Sequence, residues 1–518
     1  MLPLFTTLLL CLTTPQQLPA EILLRGGTVI DGTGLPGVVR DVAIRQNRIQ
    51  AIGAGALAGP NTVVIDARGL IVAPGFIDLH THSDEEMVSS RLRNNLNYLT
   101  QGVTTIVTGN CGFGPVDVQA YYTAIDKLKT GSNVCHLIPH NALRRQIMGN
   151  VNRQPSPAEL LKMQELTELG MKHGAWGLST GLYYTPGSYA QLDELAALAE
   201  VVGRFRGIYA SHIRDEADGL MASVEEALTI GQRARVPVHI SHLKSSGRRQ
   251  WGGAGAVLSR LQQVRSQGQS VTVDQYPYIA SSTSLQATVI PSRFREGTQA
   301  DLVARFKDPK VAMAMQNAIK QRLTETDDGR DIRIARYAPK PRWQGKSLAA
   351  IATQERRELL DIIYEIESQG GAQIVHFSMS EEDMRLILKH DFVATASDGS
   401  ARMPDETVPH PRNYGTFSRK IGRYAIEEHL LPLEMAIRSA SGLPADIIQL
   451  PQRGYLKPGY HADIVVFDPE LFRDQATFEK PHQYSTGVVY LLVNGQLVIE
   501  KGVYQDKLAG EALRHKTP

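Results

Sequence analysis

Cysteine is nearly absent. The chain of 518 residues has three, Cys11, Cys111 and Cys135. So few thiols exclude a disulfide-stapled scaffold and leave the hydrophobic core to hold the fold. Cys111 and Cys135 could at most form one bridge in an oxidising compartment. An excess of one charge is also lacking: 55 Lys and Arg face 53 Asp and Glu, for a formal net charge of +2. With no basic block or stripe, nucleic acid is not an expected partner. Aromatics make up only 6% of the residues, too few for a base-stacking surface. No stretch reaches the ~18 uninterrupted apolar residues of a stable membrane span, and no internal repeat or low-complexity segment is visible.

What is present is an ordinary globular composition, 42% hydrophobic and 21% charged, with ample material for a large core. The length suggests roughly three domains at ~150 residues each, or fewer if an α/β barrel absorbs about 250 residues alone. The first twenty residues, MLPLFTTLLLCLTTPQQLPA, combine a short apolar run, a break at Pro15 and a small residue at Ala20. A secretory leader over 1–20 is expected, with a periplasmic or secreted location. No positive charge precedes the apolar run, so a buried strand or helix, and a cytoplasmic location, is the alternative.

Two regions alternate apolar and polar residues between Gly and Asp-Gly turns, residues 21–73 and 451–503. Both read as antiparallel β structure, and the Asn494–Gly495 pair predicts a tight hairpin. They are expected to join into one small β-sandwich built from both chain ends, followed by a tail over 504–518. Between them, over 74–450, short apolar strands alternate with amphipathic helices such as QLDELAALAEVVGRF, which predicts a parallel sheet. The candidate strands are GFIDL, VTTIV, CHLIP, WGLST, GIYAS, VPVHIS, SVTVDQ, AQIVHF and FVATAS. Nine exceed by one the eight of a closed (β/α)8 TIM-like barrel, the fold expected here. The charged, helical stretch of about 286–350 breaks the rhythm and reads as an inserted cap.

The chemistry gathers at the ends of these strands. In GFIDLHTHSD, His80 and His82 follow an apolar strand at spacing i, i+2, which puts both imidazoles on one face at the mouth of a barrel. Imidazole ligates zinc and similar metals. Cys111, in VTTIVTGNCGFGP, follows the next strand between glycines that let the backbone approach a site closely, and a thiolate there suits zinc. His212 in IYASHIRDE and His242 in VPVHISHLKSSG also end strands. His239, three residues before His242, faces the other way and reads as a structural histidine. Asp398, in FVATASDGS, closes the set, and its carboxylate could take the proton of a metal-activated water. Singly, each has a bland reading: solvated or core histidines, a buried small thiol, a turn-forming aspartate. Jointly they point to a metal-dependent hydrolase.

Together these positions resemble the amidohydrolase superfamily, and the finer match is to its N-acyl-D-amino-acid deacylases (D-aminoacylases). In that family a cysteine after the second strand replaces the commoner bridging carboxylated lysine, and Cys111 in GNCGFGP fits. Similar motifs are LRRQIMG (143–149), STGLYYTPG (179–187), SHIRDE (211–216), SHLKSSG (241–247), DQYPY (274–278) and HPRNYGTFSR (410–419). The resemblance implies a small-molecule substrate, an N-acyl-D-amino acid, cleaved at its amide bond. It implies a tight zinc on Cys111, His212 and His242, and a weaker second metal position on His80, His82 and Asp398, with Asp398 as general acid/base. Lys244 and Arg412 would bind the substrate α-carboxylate, beside Tyr184 (or its neighbour Tyr183), Tyr276 and Ser282. Gln275, Pro139 and the long loop from Asp398 to His410 depart from the commoner family pattern near the pocket mouth. The alternatives are a cyclic-amide hydrolase of the dihydroorotase or hydantoinase kind and a catalytically inactive member of the fold serving in binding or assembly.

Overall fold

The computed structural model describes residues 18–516. The expected leader therefore lies almost wholly outside the described residues. Of its last three, Ala20 is buried and its N–H donates to the Leu57 carbonyl at 2.9 Å.

Eight parallel strands form the barrel: Phe76–Asp78, Val103–Thr108, Asn133–His136 (resuming as Ile138–Pro139), Gly177–Gly181, Ile208–His212, Val238–Ile240, Val271–Gln275 and Val393–Thr395. Each pairs with the next in parallel register. Most are buried along their whole length, as parallel strands sandwiched between a packed interior and a layer of helices must be. Between the first and eighth strands the seam is joined above the strand ends. Thr81 bridges Gly399, the His82 N–H donates to the Gly399 carbonyl at 2.7 Å, and the Asp398 N–H donates to the His80 carbonyl at 2.8 Å. The barrel thus closes through the residues singled out for chemistry.

The helices follow from apolar spacing. In Leu192–Arg204 the buried positions Leu195, Leu198, Ala199 and Val202 recur at three and four residues, and Val224, Ala227, Leu228 and Gly231 do the same in Leu220–Ala234. Such a stripe can bury only one helix face. The barrel floor is filled by Ile77, Val107, Cys135, Leu137, Ile208, Ala210 and Ala394, against Leu443, Ile447 and Leu450 from below. Cys111 and Cys135 are both free thiols, so the single bridge does not form.

The surplus strand is AQIVHF. Gln373–His376 is the centre of a separate three-stranded antiparallel sheet, flanked by Ser281–Ser284 and Ile332–Arg336. A short apolar run looks the same whichever sheet takes it up. With the intervening helices this sheet has its own core, including Leu285, Ile319, Trp343, Ile351 and Ile363. The cap unit thus reaches from Ser281 to His376, beyond the 286–350 stretch on both sides. Strands from both chain ends share one sheet, joined where Ile71–Pro74 pairs antiparallel with Ile464–Phe467. Asn494 and Gly495 take φ of +50° and +75° and turn the chain between Val488–Val493 and Gln496–Glu500, as an Asn-Gly hairpin requires. The last segment is not a free tail. Gly510 and Ala512 bridge Thr130 and Val134, and the Trp176 indole donates to the Leu513 carbonyl at 2.7 Å.

Candidate active site

The six ligand candidates converge at the barrel mouth, each just past or at the end of a strand. Local backbone strain positions three of them: Cys111, His242 and Asp398 take φ of +52°, +36° and +51°, a region L-residues rarely occupy and that clusters at functional sites. The Cys111 turn depends on its glycines. A Cβ on Gly109 would stand 2.1 Å from the Leu137 carbonyl oxygen, and one on Gly112 would stand 2.2 Å from Asn141 Oδ1.

Cys111 Sγ lies 3.2 Å from His80 Nε2, 3.5 Å from His212 Nδ1 and 3.7 Å from His242 Nε2. Asp398 Oδ1 lies 3.0 Å from His82 Nε2 and 3.5 Å from His80 Nε2. Three overlapping groups have ligand atoms close enough to share an ion: His80, Cys111 and His242; His80, His82 and Asp398; and His212, Glu216 and His242. His80 is common to the first two, so two adjoining metal positions can form. The donor chemistry fits a borderline-soft cation. Burial pushes the Cys111 thiol well up, holds the His80 imidazole down to about 4 and holds that of His212 well below its ordinary value. A neutral thiol can satisfy only one of three imidazole acceptors, whereas sulfur and nitrogen around one centre are what zinc-type ions take.

Asp398 is ionised. Burial opposes its charge, but Arg412, His242, His80 and His82 together outweigh burial and hold the carboxyl well below the usual range. Arg412 Nη1 donates to Asp398 Oδ2 at 2.7 Å, and its Nη2 donates to the Ser282 carbonyl at 3.2 Å. Lys244 Nζ sits 2.6 Å from Glu216 Oε1 and 2.7 Å from His242 Nδ1. Burial works against the ammonium, but Glu216, with Tyr276 and Asp398, outweighs it and raises the Lys244 pKa. Both predicted cations thus face the site, each paired with a carboxylate.

The aromatic and hydroxyl candidates divide. Tyr184 lines both of the cavities that meet over the cluster, of about 360 and 410 Å³. Its hydroxyl lies 3.0 Å from Thr283 Oγ1 and its ring meets His212 edge-on at 4.9 Å. Tyr183 lines only the first and stacks on His212 at 5.6 Å. Ser282 lines both cavities, but its hydroxyl donates to the Ile374 carbonyl. Tyr276 lines neither: it is fully buried, with the Arg412 guanidinium 4.9 Å above its ring.

Two residues escaped the sequence reading. Asp274, at the end of the seventh barrel strand, accepts from the His242 N–H at 2.7 Å, bonds His239 Nε2 at 2.8 Å and lies 3.5 Å from His80 Nδ1. It orients two metal-ligand candidates, and His239 serves it from the side away from the cluster. Glu216 neutralises Lys244 and reaches His242 Nδ1 at 3.0 Å. The signal for both was an acidic residue at or just past the C-terminal end of a barrel strand.

The sequence profile of the amidohydrolase family matches residues 63–499. A D-aminoacylase of Alcaligenes xylosoxydans xylosoxydans is 34% identical, covering 96% of this chain and 98% of its own. An N-acyl-D-glutamate deacylase of the same organism is 35% identical, covering 93% and 94%. Among solved structures, the N-acyl-D-glutamate deacylase of Bordetella bronchiseptica, complexed with zinc and a phosphonate mimic of the tetrahedral intermediate, superposes with a TM-score of 0.82. It is 34% identical, over 96% of this chain and all of that one. On a family match over most of its length and relatives this similar from end to end, the chain belongs to the amidohydrolase family, in its N-acyl-D-amino-acid deacylase branch.

Proposed function

We propose that this enzyme hydrolyses the amide bond of N-acyl-D-amino acids, releasing a D-amino acid and a carboxylate, with zinc at Cys111, His212 and His242 and a second, weaker position at His80, His82 and Asp398. The observation that carries the reading is Cys111 Sγ within 3.7 Å of three imidazoles, beside the ionised Asp398. The D configuration rests on the similarity to the D-aminoacylase and the N-acyl-D-glutamate deacylase.

When bound, zinc supplies a Lewis acid that polarises the amide carbonyl and lowers the pKa of a water toward ~7. Asp398 is unprotonated and accepts the proton of the attacking water, then returns it to the departing amide nitrogen, as one residue can in acid–base catalysis. His82 and Arg412 orient its two oxygens. Arg412 and Lys244 hold the substrate α-carboxylate, the guanidinium through paired N–H donors and the ammonium as a second charge. Glu216 keeps Lys244 charged until substrate arrives, and Tyr184 walls the junction of the two cavities.

The test is hydrolysis of paired N-acetyl-D- and N-acetyl-L-amino acids with purified enzyme, with and without chelator. Cleavage of the D series alone, abolished by chelation and restored by zinc, is the expected result. Zinc-loaded protein that cleaves neither series rejects the deacylase reading.

A further inference from the structure

The cap carries a third cavity, of about 310 Å³, beyond the two that meet over the metal cluster. It shares Ser284, Arg336 and Gln373 with the 410 Å³ cavity that holds His82, Asp398 and Arg412. The two adjoin at the cap sheet, where Ser284 pairs with Gln373. Glu367, on the helix Leu359–Ser368, lines the third cavity.

Glu367 is fully buried and has no cation at ion-pair distance among the described residues. Its Oε2 accepts from Gln299 Nε2 at 3.0 Å and from Gln286 Nε2 at 3.4 Å, while its Oε1 has no partner. The Tyr337 hydroxyl, in the same cavity wall, is buried and unpartnered too. Gly371, at φ +84°, keeps the space beside the carboxylate clear, since a Cβ there would stand within 4.0 Å of both oxygens. Two residues earlier, Glu365 takes both Lys340 and Arg357, so the helix has cations within reach and Glu367 receives none.

A buried carboxyl without a counter-charge is costly. Burial, only partly offset by Gln299, Gln286 and Arg295, lifts that of Glu367 to about 7. The missing partner is a positively charged nitrogen donor. Arg336 supplies the opposite pole. It is exposed, lines both cavities and has no carboxylate at ion-pair distance among the described residues. A buried anion and an unpaired cation around one small cavity complement a zwitterion. An N-acyl-amino acid has no ammonium, and cleavage of its amide bond creates one. The free amino acid is therefore the one component of the reaction that carries both charges.

We propose that this cavity binds a free α-amino acid, its ammonium on Glu367 and its carboxylate on Arg336, and that the released D-amino acid is the ligand. That the ligand is the reaction's own product rests on the deacylase reading.

Calorimetric titration of the zinc-loaded enzyme with D-alanine tests it, with the active site filled by a phosphonate analogue of N-acetyl-D-alanine, which has no ammonium. D-Alanine binds to that complex. Propanoate, the same molecule without its ammonium, does not. Glu367→Gln weakens D-alanine binding about 10- to 100-fold, the scale of one charge-assisted contact. Arg336→Gln weakens it less, because water screens an exposed charge. No D-alanine bound beside the phosphonate, propanoate bound equally well, or an affinity unmoved by Glu367→Gln overturns the proposal and leaves the deacylase intact. An enzyme that neither binds the phosphonate nor cleaves any N-acyl-D-amino acid overturns the deacylase reading and the product role with it. Titration of that enzyme alone with D-alanine and propanoate still decides the amino-acid site, and this wild-type comparison holds even if a variant does not fold.

Discussion

Cys111 and Cys135 are the same residue at opposite ends of one barrel. Both are free, both are buried, and burial pushes both thiols up. Cys135 sits on the floor among Ile77, Val107, Leu137 and Ile208, in ordinary strand conformation within Asn133–His136. Cys111 sits at the mouth in a left-handed turn, with three imidazole nitrogens within 3.7 Å of its sulfur. Burial alone makes either thiol an inert small hydrophobe. Only a cation shared with the imidazoles turns Cys111 into a thiolate ligand. The floor thus contributes packing, and the mouth spends backbone strain and buried charge on chemistry.

The largest effects expected are at the mouth, and two substitutions separate its parts. Cys111→Ala removes the one sulfur donor, so the purified variant loses stoichiometric zinc and its activity falls to background. Asp398→Asn leaves the cysteine-centred donors intact, so zinc stays while turnover drops by about 10²–10⁴-fold, the contribution of a positioned general base. Metal analysis beside kinetics checks both. Zinc retained by Cys111→Ala, or near-normal turnover by Asp398→Asn, breaks the assignment.

Much of the mouth was legible because its signals are local. A His-x-His after an apolar strand, and histidines and an aspartate at later strand ends, name a barrel mouth whatever the exact strand order. The barrel itself followed from strand–helix alternation, and the hairpin from Asn494–Gly495. Longer-range facts were not legible. AQIVHF reads as a barrel strand until Ser281–Ser284 and Ile332–Arg336 are seen to flank it. Residues 510–513 gave no sign of the third strand they pack beside. Asp274 stood only as the first residue of DQYPY, with no role assigned, because its partners, His80, His239 and His242, come from two other strands and their ends. Tyr276 carried its motif, but its position behind Arg412 depends on packing that no spacing encodes.

A middle-sized effect comes from His136, which adjoins Cys135 on the third strand yet steadies the Cys111 loop. Its Nε2 must donate to the Pro115 carbonyl at 2.9 Å, which leaves Nδ1 to accept from Thr108 at 2.9 Å. Burial lowers its pKa to about 4. The folded state therefore binds fewer protons than the unfolded state between that value and the ordinary 6.5. The stability of the neutral ring is present in full above 6.5 and is lost as pH falls toward 4, by about 3 kcal/mol at the end of that window. Denaturant midpoints at pH 7 and pH 5 should fall more for the wild type than for His136→Gln, which keeps an amide donor for Pro115 and has no proton to gain. Equal falls would place the acid sensitivity elsewhere.

The smallest effect belongs to the floor cysteine and sharpens the contrast most. Cys135→Ala removes one sulfur from a fully buried apolar site, leaving a small cavity worth about 1 kcal/mol of stability. Zinc content and kcat should stay at the wild-type values, because among the described residues Cys135 belongs to none of the three ligand groups and lines neither cavity over the cluster. If kcat falls while the unfolding midpoint barely moves, the floor is coupled to the mouth through the third strand, where His136 and the Cys111 loop meet. The two ends of the barrel would then be one mechanical unit, and packing at Cys135 would belong with the residues that hold the metal ligands in place.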